Sequence, residues 1–123
     1  MDHPSALTLF VYGTLMPGQR EAARLGPLHR QRPAYTPGRL YHLPAGYPAL
    51  VEDPASWVYG VVVELAEPGR LMALDDYEGP LYQREPCVAV TPEGPVEVWC
   101  WRMRLADLPP GARLLPQGRW SEP

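Results

Sequence analysis

The chain contains no lysine, asparagine or isoleucine, only two cysteines, and a single phenylalanine among its 123 residues. Without lysine, every fixed side-chain cation is an arginine, and the 11 arginines are scattered against a net charge of −3. A protein that follows a phosphate backbone needs a basic stripe, so nucleic acid is not an expected partner. No apolar run approaches the roughly 20 residues that cross a bilayer. The opening stretch MDHPSAL also lacks the basic and then apolar pattern of a signal peptide. A cytoplasmic protein with no membrane partner is therefore expected. His3, His29 and His42 share no ligand spacing with one another or with Cys87 and Cys100, so no metal site is expected either.

Proline is in excess, at 17 residues. GC-rich codon usage accounts for it together with the arginines; proline-stiffened loops would also suit a thermophile. The length is that of one domain with a real core, nearly half of the residues are apolar, and no repeat or linker divides the chain. Residues 1–123 are read as one domain.

Hydrophobic patterning places a first strand over 7–13 and a short helix over 19–25, stopped by Gly26. Residues 34–43 read as a strand broken by a Pro-Gly bend, and the proline-rich segment 43–54 reads as loop. WVYGVVVEL (57–65) is the clearest strand, with Gly60 marking a bulge or a close backbone approach. A helix over 68–78 follows, begun by Pro68 and ended by Gly79-Pro80. Segments 84–91 and 95–104 form a hairpin centred on Glu93 and Gly94. That register sets Cys87 opposite Cys100. Reduced core thiols suit a cytoplasmic chain, and a cross-strand disulfide stays open. The tail 106–123 reads as irregular, with Leu114 and Leu115 able to dock and Trp120 a candidate cover for a cavity mouth. Four or more strands and two short helices make an α+β fold, whose apolar faces are best buried by one curved or closed sheet.

On the helix 68–78, Leu71, Leu74 and Glu78 share a face. A carboxylate on an apolar face is shielded from water, which raises its pKa. The negative helix C-terminus and Asp75 push the same way. Glu78 is thus a candidate general base near neutral pH; a solvated or backbone-bonded acid is the alternative. Arg84 either grips a substrate carboxylate with two hydrogen bonds or pairs with Glu78 or Asp75 to hold the loop. Tyr82 is read as a pocket wall or core ring. The stretch YGTL (12–15) turns sharply at Gly13 after the first strand. Successive amides at such a bend can form an anion nest, although an ordinary strand-to-loop bend has the same composition.

Four segments occur in a telling order: VYGTLMPGQ, AGYPAL, VYGVVVEL and LDDYEGPLYQREPCVAV. Together they resemble the gamma-glutamylcyclotransferase-like family, and especially its gamma-glutamylamine cyclotransferase branch, over residues 7 to 102. The resemblance implies a small mixed β-barrel with short flanking helices and a cavity at one end. It implies release of 5-oxoproline from a gamma-glutamyl amine or related small amide, without metal or organic cofactor. By the same resemblance Glu78 is the catalytic acid/base, and Tyr12, Gly13, Thr14 and Leu15 bind the glutamyl part. Gly46, Tyr47 and Pro48 line the cavity, and Tyr82 and Arg84 belong to the substrate site. The partner is then a small gamma-glutamyl substrate, and the protein is a monomer or weak homodimer. The alternative is a non-catalytic barrel that binds a small metabolite. The presence of both Glu78 and the intact 12–15 motif favours catalysis.

Overall fold

A computed structural model of the chain describes residues 4–121; His3 lies outside the described residues. Among the described residues there are eight strands and one α-helix: β1 Thr8–Val11, β2 Leu28–Pro37, β3 Arg39–His42, β4 Pro48–Val51, β5 Trp57–Leu65, α1 Arg70–Glu78, β6 Gln83–Thr91, β7 Gly94–Arg102 and β8 Arg113–Leu115. Five strands close into a barrel in the order β1-β5-β2-β6-β7. Neighbours are antiparallel except at the closure, where β1 meets β7 in parallel at Leu9 and Trp99. The barrel is therefore mixed and the fold α+β. A second sheet of order β4-β3-β8 packs beside it.

The continuous apolar run of β1 is explained by burial on both faces. Phe10 and Tyr12 point into a cluster shared with Val62 of β5 and Val98 and Cys100 of β7. Leu9 and Val11 alternate with them into a second cluster, which includes Leu74 of α1 and Trp101. Successive strand residues face opposite sides, so a strand between two cores has no polar side to show. The small sheet contributes Leu40 and Leu50 to the first cluster, and Leu50 accepts a hydrogen bond from the Met103 amide at 2.9 Å.

Four expectations need correction. The helix expected over 19–25 is only a 3-10 turn, Ala22–Leu25; seven residues between two glycines are too few to repay helix nucleation. The segment 43–54 is not all loop, because it contains β4. That strand lies at the edge of its sheet and begins with Pro48, a position where proline is tolerated in a ladder. The tail is not all irregular, because β8 pairs Leu114 with Tyr41 and Leu115 with Leu40. The hairpin turns around Pro92 and Glu93, with Thr91 opposite Gly94. Thr91 makes this turn: its hydroxyl donates to the Gly94 carbonyl at 2.8 Å and accepts from the Glu93 amide at 3.1 Å. The register thus slips by two, Cys87 faces Val98, Cys100 faces Glu85, and both thiols are free.

Trp120 is buried in the barrel cluster and stacked on His42 with ring centroids 5.0 Å apart, so it does not cover a cavity mouth. Among the described residues no helix is long and apolar enough to cross a membrane. No group of three or more His, Cys, Asp or Glu is placed to hold a metal ion there.

Gly60 marks a close approach and no bulge, since the register of β2 with β5 runs unbroken through Ala34 and Gly60. A Cβ on Gly60 would stand 2.3 Å from the Val11 carbonyl oxygen and 2.8 Å from the Phe10 ring. The substitution Gly60→Ala is expected to destabilise the protein by about 2–3 kcal/mol, as overpacking of a closed core does. Denaturant unfolding measures it, and a loss below about 0.5 kcal/mol would show that β1 and β5 can part at no cost.

Candidate active site

The chain leaves β1 at Val11, and the next residues fold back on themselves. The Gly13 carbonyl accepts from the Met16 amide at 3.0 Å, and the Thr14 carbonyl accepts from the Glu21 amide at 2.9 Å. Both bonds use carbonyls. The amides of Gly13, Thr14 and Leu15 donate to no acceptor among the described residues, although all three residues are buried. Buried backbone amides are almost always paired. Three in succession without a partner mark a place built to receive one. Leu15 anchors the bend from below, packing with Leu25 and Leu74 in the second core cluster.

Glu78 is the last residue of α1. Leu74, one turn back, is buried, and Leu71 packs on the same cluster, so the helix presents the face that its spacing predicts. Gly79 then turns the chain at φ +88°, with its amide closing on the Asp75 carbonyl at 3.1 Å. The carboxyl group of Glu78 is held in a shielded position. Burial raises its pKa from 4.5 to about 7, and the charge of Asp75 adds to the rise.

Glu78 and the bend 12–15 border one cavity of about 400 Å³. Tyr12, Gly13, Thr14, Leu15, Tyr47 and Tyr82 line it, and so does Pro48. Gly46 and Arg84 are not in its wall. Gly46 is a neighbour at φ +92°, whose carbonyl accepts from Arg20 at 3.4 Å. Arg84 has its guanidinium on Asp75, with Nε at 2.9 Å from Oδ1 and Nη2 at 3.2 Å from Oδ2. Of its two readings, the structure shows the ion pair that holds the helix.

Two tyrosines have their hydroxyl protons committed. Tyr12 donates to the Trp101 carbonyl at 2.8 Å and accepts from the Leu50 amide at 3.3 Å. Tyr82 donates to the Pro48 carbonyl at 2.6 Å. Both therefore tie the barrel to β4 while their rings wall the cavity, and burial pushes both phenols above their usual range. Tyr77 was not singled out from sequence; its hydroxyl lies 2.9 Å from that of Thr14. Its position directly before Glu78 was the available signal. The rest of the wall is apolar, including Leu43, Leu81, Met103 and Pro109. Among the described residues, no arginine or histidine lines the cavity. An acid that titrates near neutrality beside unpaired amides can take a proton from a bound amine and steady a developing oxyanion.

Similarities to known proteins bear on the fold and the family. Comparison with curated proteins finds no match. Among solved structures, an AIG2-like protein from Mus musculus superposes with a TM-score of 0.77 at 23% identity, over 98% of this chain and 90% of that one. An uncharacterised protein, PH0828 from Pyrococcus horikoshii, gives a TM-score of 0.71 at 18% identity, over 92% of this chain and 88% of that one. YkqA from Bacillus subtilis gives 0.74 at 24% identity over 92% of this chain, which spans only 39% of the length of YkqA. At these identities the structures show a shared fold. The family model described as gamma-glutamyl cyclotransferase, AIG2-like, matches residues 9–122, and the chain therefore belongs to that family, whose function is of the gamma-glutamyl cyclotransferase type.

Proposed function

We propose that the protein releases 5-oxoproline from a gamma-glutamyl amine or a related small gamma-glutamyl amide, with Glu78 as general acid/base. The observation that carries this reading is that Glu78 and three unpaired amides border the same cavity. In such a substrate the α-amine can reach the δ-carbonyl and close a five-membered ring. Folding the glutamyl chain within the cavity supplies much of the rate gain through proximity. The α-amine is mostly protonated at neutral pH, with a reference pKa of about 8. Glu78, titrating at about 7, is matched to remove that proton. The nitrogen lone pair then attacks the carbonyl carbon, and the oxygen takes up the electrons of the C=O bond. Amides of residues 13 to 15 would hold that oxyanion, an effect worth roughly 3 kcal/mol per well-placed donor.

Collapse of the tetrahedral centre expels the leaving amine, which takes its proton from Glu78. The ring nitrogen still carries two protons at that point. Glu78 takes one of them, the second to leave that nitrogen, and passes it to the released amine, which departs as an ammonium. Both protons lost by the α-ammonium group thus end on the leaving amine, and the acid ends as the carboxylate that began the cycle. The apolar wall of Leu43, Leu81, Met103 and Pro109 suits a small, uncharged leaving group. This reading needs only a small-molecule partner, and a cytoplasmic monomer or weak homodimer would suffice.

Three outcomes test it. Incubation with a panel of gamma-glutamyl amines, gamma-glutamyl amino acids and glutathione should yield 5-oxoproline by mass spectrometry. Glu78→Gln should lower kcat by roughly two to four orders of magnitude; equal release by both proteins would remove Glu78 from the mechanism. The acid limb of kcat/KM should have its midpoint at about 7, and Asp75→Asn should move it to lower pH by removing the second cause of the shift.

Glu78 also links stability to pH. Its folded pKa is raised, so the fold favours the protonated acid. The associated stability is complete below about pH 4.5 and is lost as pH rises to about 7. Glu78→Gln should therefore stabilise the protein by up to about 3 kcal/mol at pH 8 and by little at pH 4. Unfolding curves at the two pH values measure this difference, and a variant less stable at pH 8 would identify Glu78 as a structural acid.

A further inference from the structure

Resting on that reading, a second question is how a cavity with no arginine or histidine in its wall among the described residues would hold the carboxylate of a gamma-glutamyl group. Neutral donors must do it, and the bend amides are only part of the supply. Thr14 Oγ1 and Tyr77 Oη are 2.9 Å apart, and both residues line the cavity. Each hydroxyl carries one proton, but only one proton can lie between two oxygens. Whichever group donates within the pair, the other keeps a proton with no protein acceptor among the described residues. Thr14 is only 4% exposed, so bulk water is not the natural recipient. Thr14 is buried and Tyr77 half-buried; the spare donor of the pair has no protein acceptor among the described residues, and a carboxylate oxygen in the cavity would supply one.

The ring of Tyr77 is fixed for this task. The Arg24 guanidinium lies 4.2 Å from its centroid and is itself held by Glu21, Nε to Oε1, at 2.6 Å. The Glu21 amide returns to the Thr14 carbonyl at 2.9 Å. Bend, 3-10 turn and helix end thus form a closed circuit around the two hydroxyls.

We propose that Tyr77 is a substrate-binding residue whose hydroxyl, paired with that of Thr14, donates the spare proton of the pair to a carboxylate oxygen of the glutamyl group.

The test compares 5-oxoproline with its carboxamide by calorimetric titration, alongside turnover of gamma-glutamyl amides. Tyr77→Phe removes one oxygen and keeps the ring for Arg24. It should weaken 5-oxoproline binding about tenfold or more while weakening the carboxamide about threefold or less, because hydrogen bonds to a charged group are the stronger. Thr14→Val should lose the same selectivity, and the double variant should lose little beyond either single one. Melting temperatures close to that of the parent protein are expected for Tyr77→Phe. Equal losses on acid and amide, or no loss on either, would overturn the proposal, as would failure of the parent protein to prefer the acid. A parent protein that forms no 5-oxoproline yet shows the selectivity would leave Tyr77 in place and remove the cyclotransferase reading.

Discussion

The carboxylate of Asp75 is the interaction on which the arrangement of the site depends. It receives the forked guanidinium of Arg84 from β6 and the Trp101 indole N–H, at 2.8 Å, from β7. The end of α1 is thereby fixed to two barrel strands, three residues before Glu78. Trp101 also offers its carbonyl to Tyr12, at the start of the bend. One acidic side chain therefore sets the relative position of the two halves of the site. Its charge has a second effect, because the same anion raises the pKa of Glu78. Burial is the larger cause of the shift, and Arg84 pairs with the same anion.

The cavity is organised around dipoles and not around fixed charge. Its one titratable acid sits near neutrality, and its wall is otherwise amides, hydroxyls and apolar groups. An arginine in such a wall would bind a carboxylate more tightly, but it would also lower the pKa of Glu78 and weaken it as a base. Arg20, Arg24 and Arg84 are near by and face elsewhere: onto Tyr47, onto Tyr77 and onto Asp75 and Trp99. Their placement supports the walls while keeping these positive charges out of the cavity lining.

Much of the barrel was legible because its elements announce themselves locally. WVYGVVVEL is β5 to the residue, and LMALDDYE keeps the leucine spacing that turns Glu78 inward. Three features were not legible, each for a physical reason. The strand β4 hides in a proline-rich segment because an edge strand tolerates proline. The hairpin register depends on Thr91 bonding to both sides of its turn, a side-chain choice that periodicity does not report. For Arg84 the sequence names Asp75 among the possible partners, and only the choice between Asp75, Glu78 and a substrate carboxylate depends on where α1 lies on the barrel, which is a tertiary fact. Tyr77 was missed for the same reason: its meaning comes from Thr14, 63 residues earlier.

The division of labour between the two sheets follows from one contact. A Cβ on Gly13 would stand 2.3 Å from Pro48 Cγ, so the bend of the barrel and the first residue of β4 touch with no room for a side chain. Pro48 is itself held by Tyr82 through its carbonyl. Helix α1 thus supplies the acid and the bend after β1 the amides, while the small sheet and its flanks contribute Leu43, Ala45, Tyr47 and Pro48 to the wall. Because the two meet at a glycine, residues farther along the small sheet can change without disturbing the bend. The acid and the amides on one side and the wall at Leu43, Ala45 and Tyr47 on the other are then carried by different parts of the chain, joined where Gly13 admits Pro48.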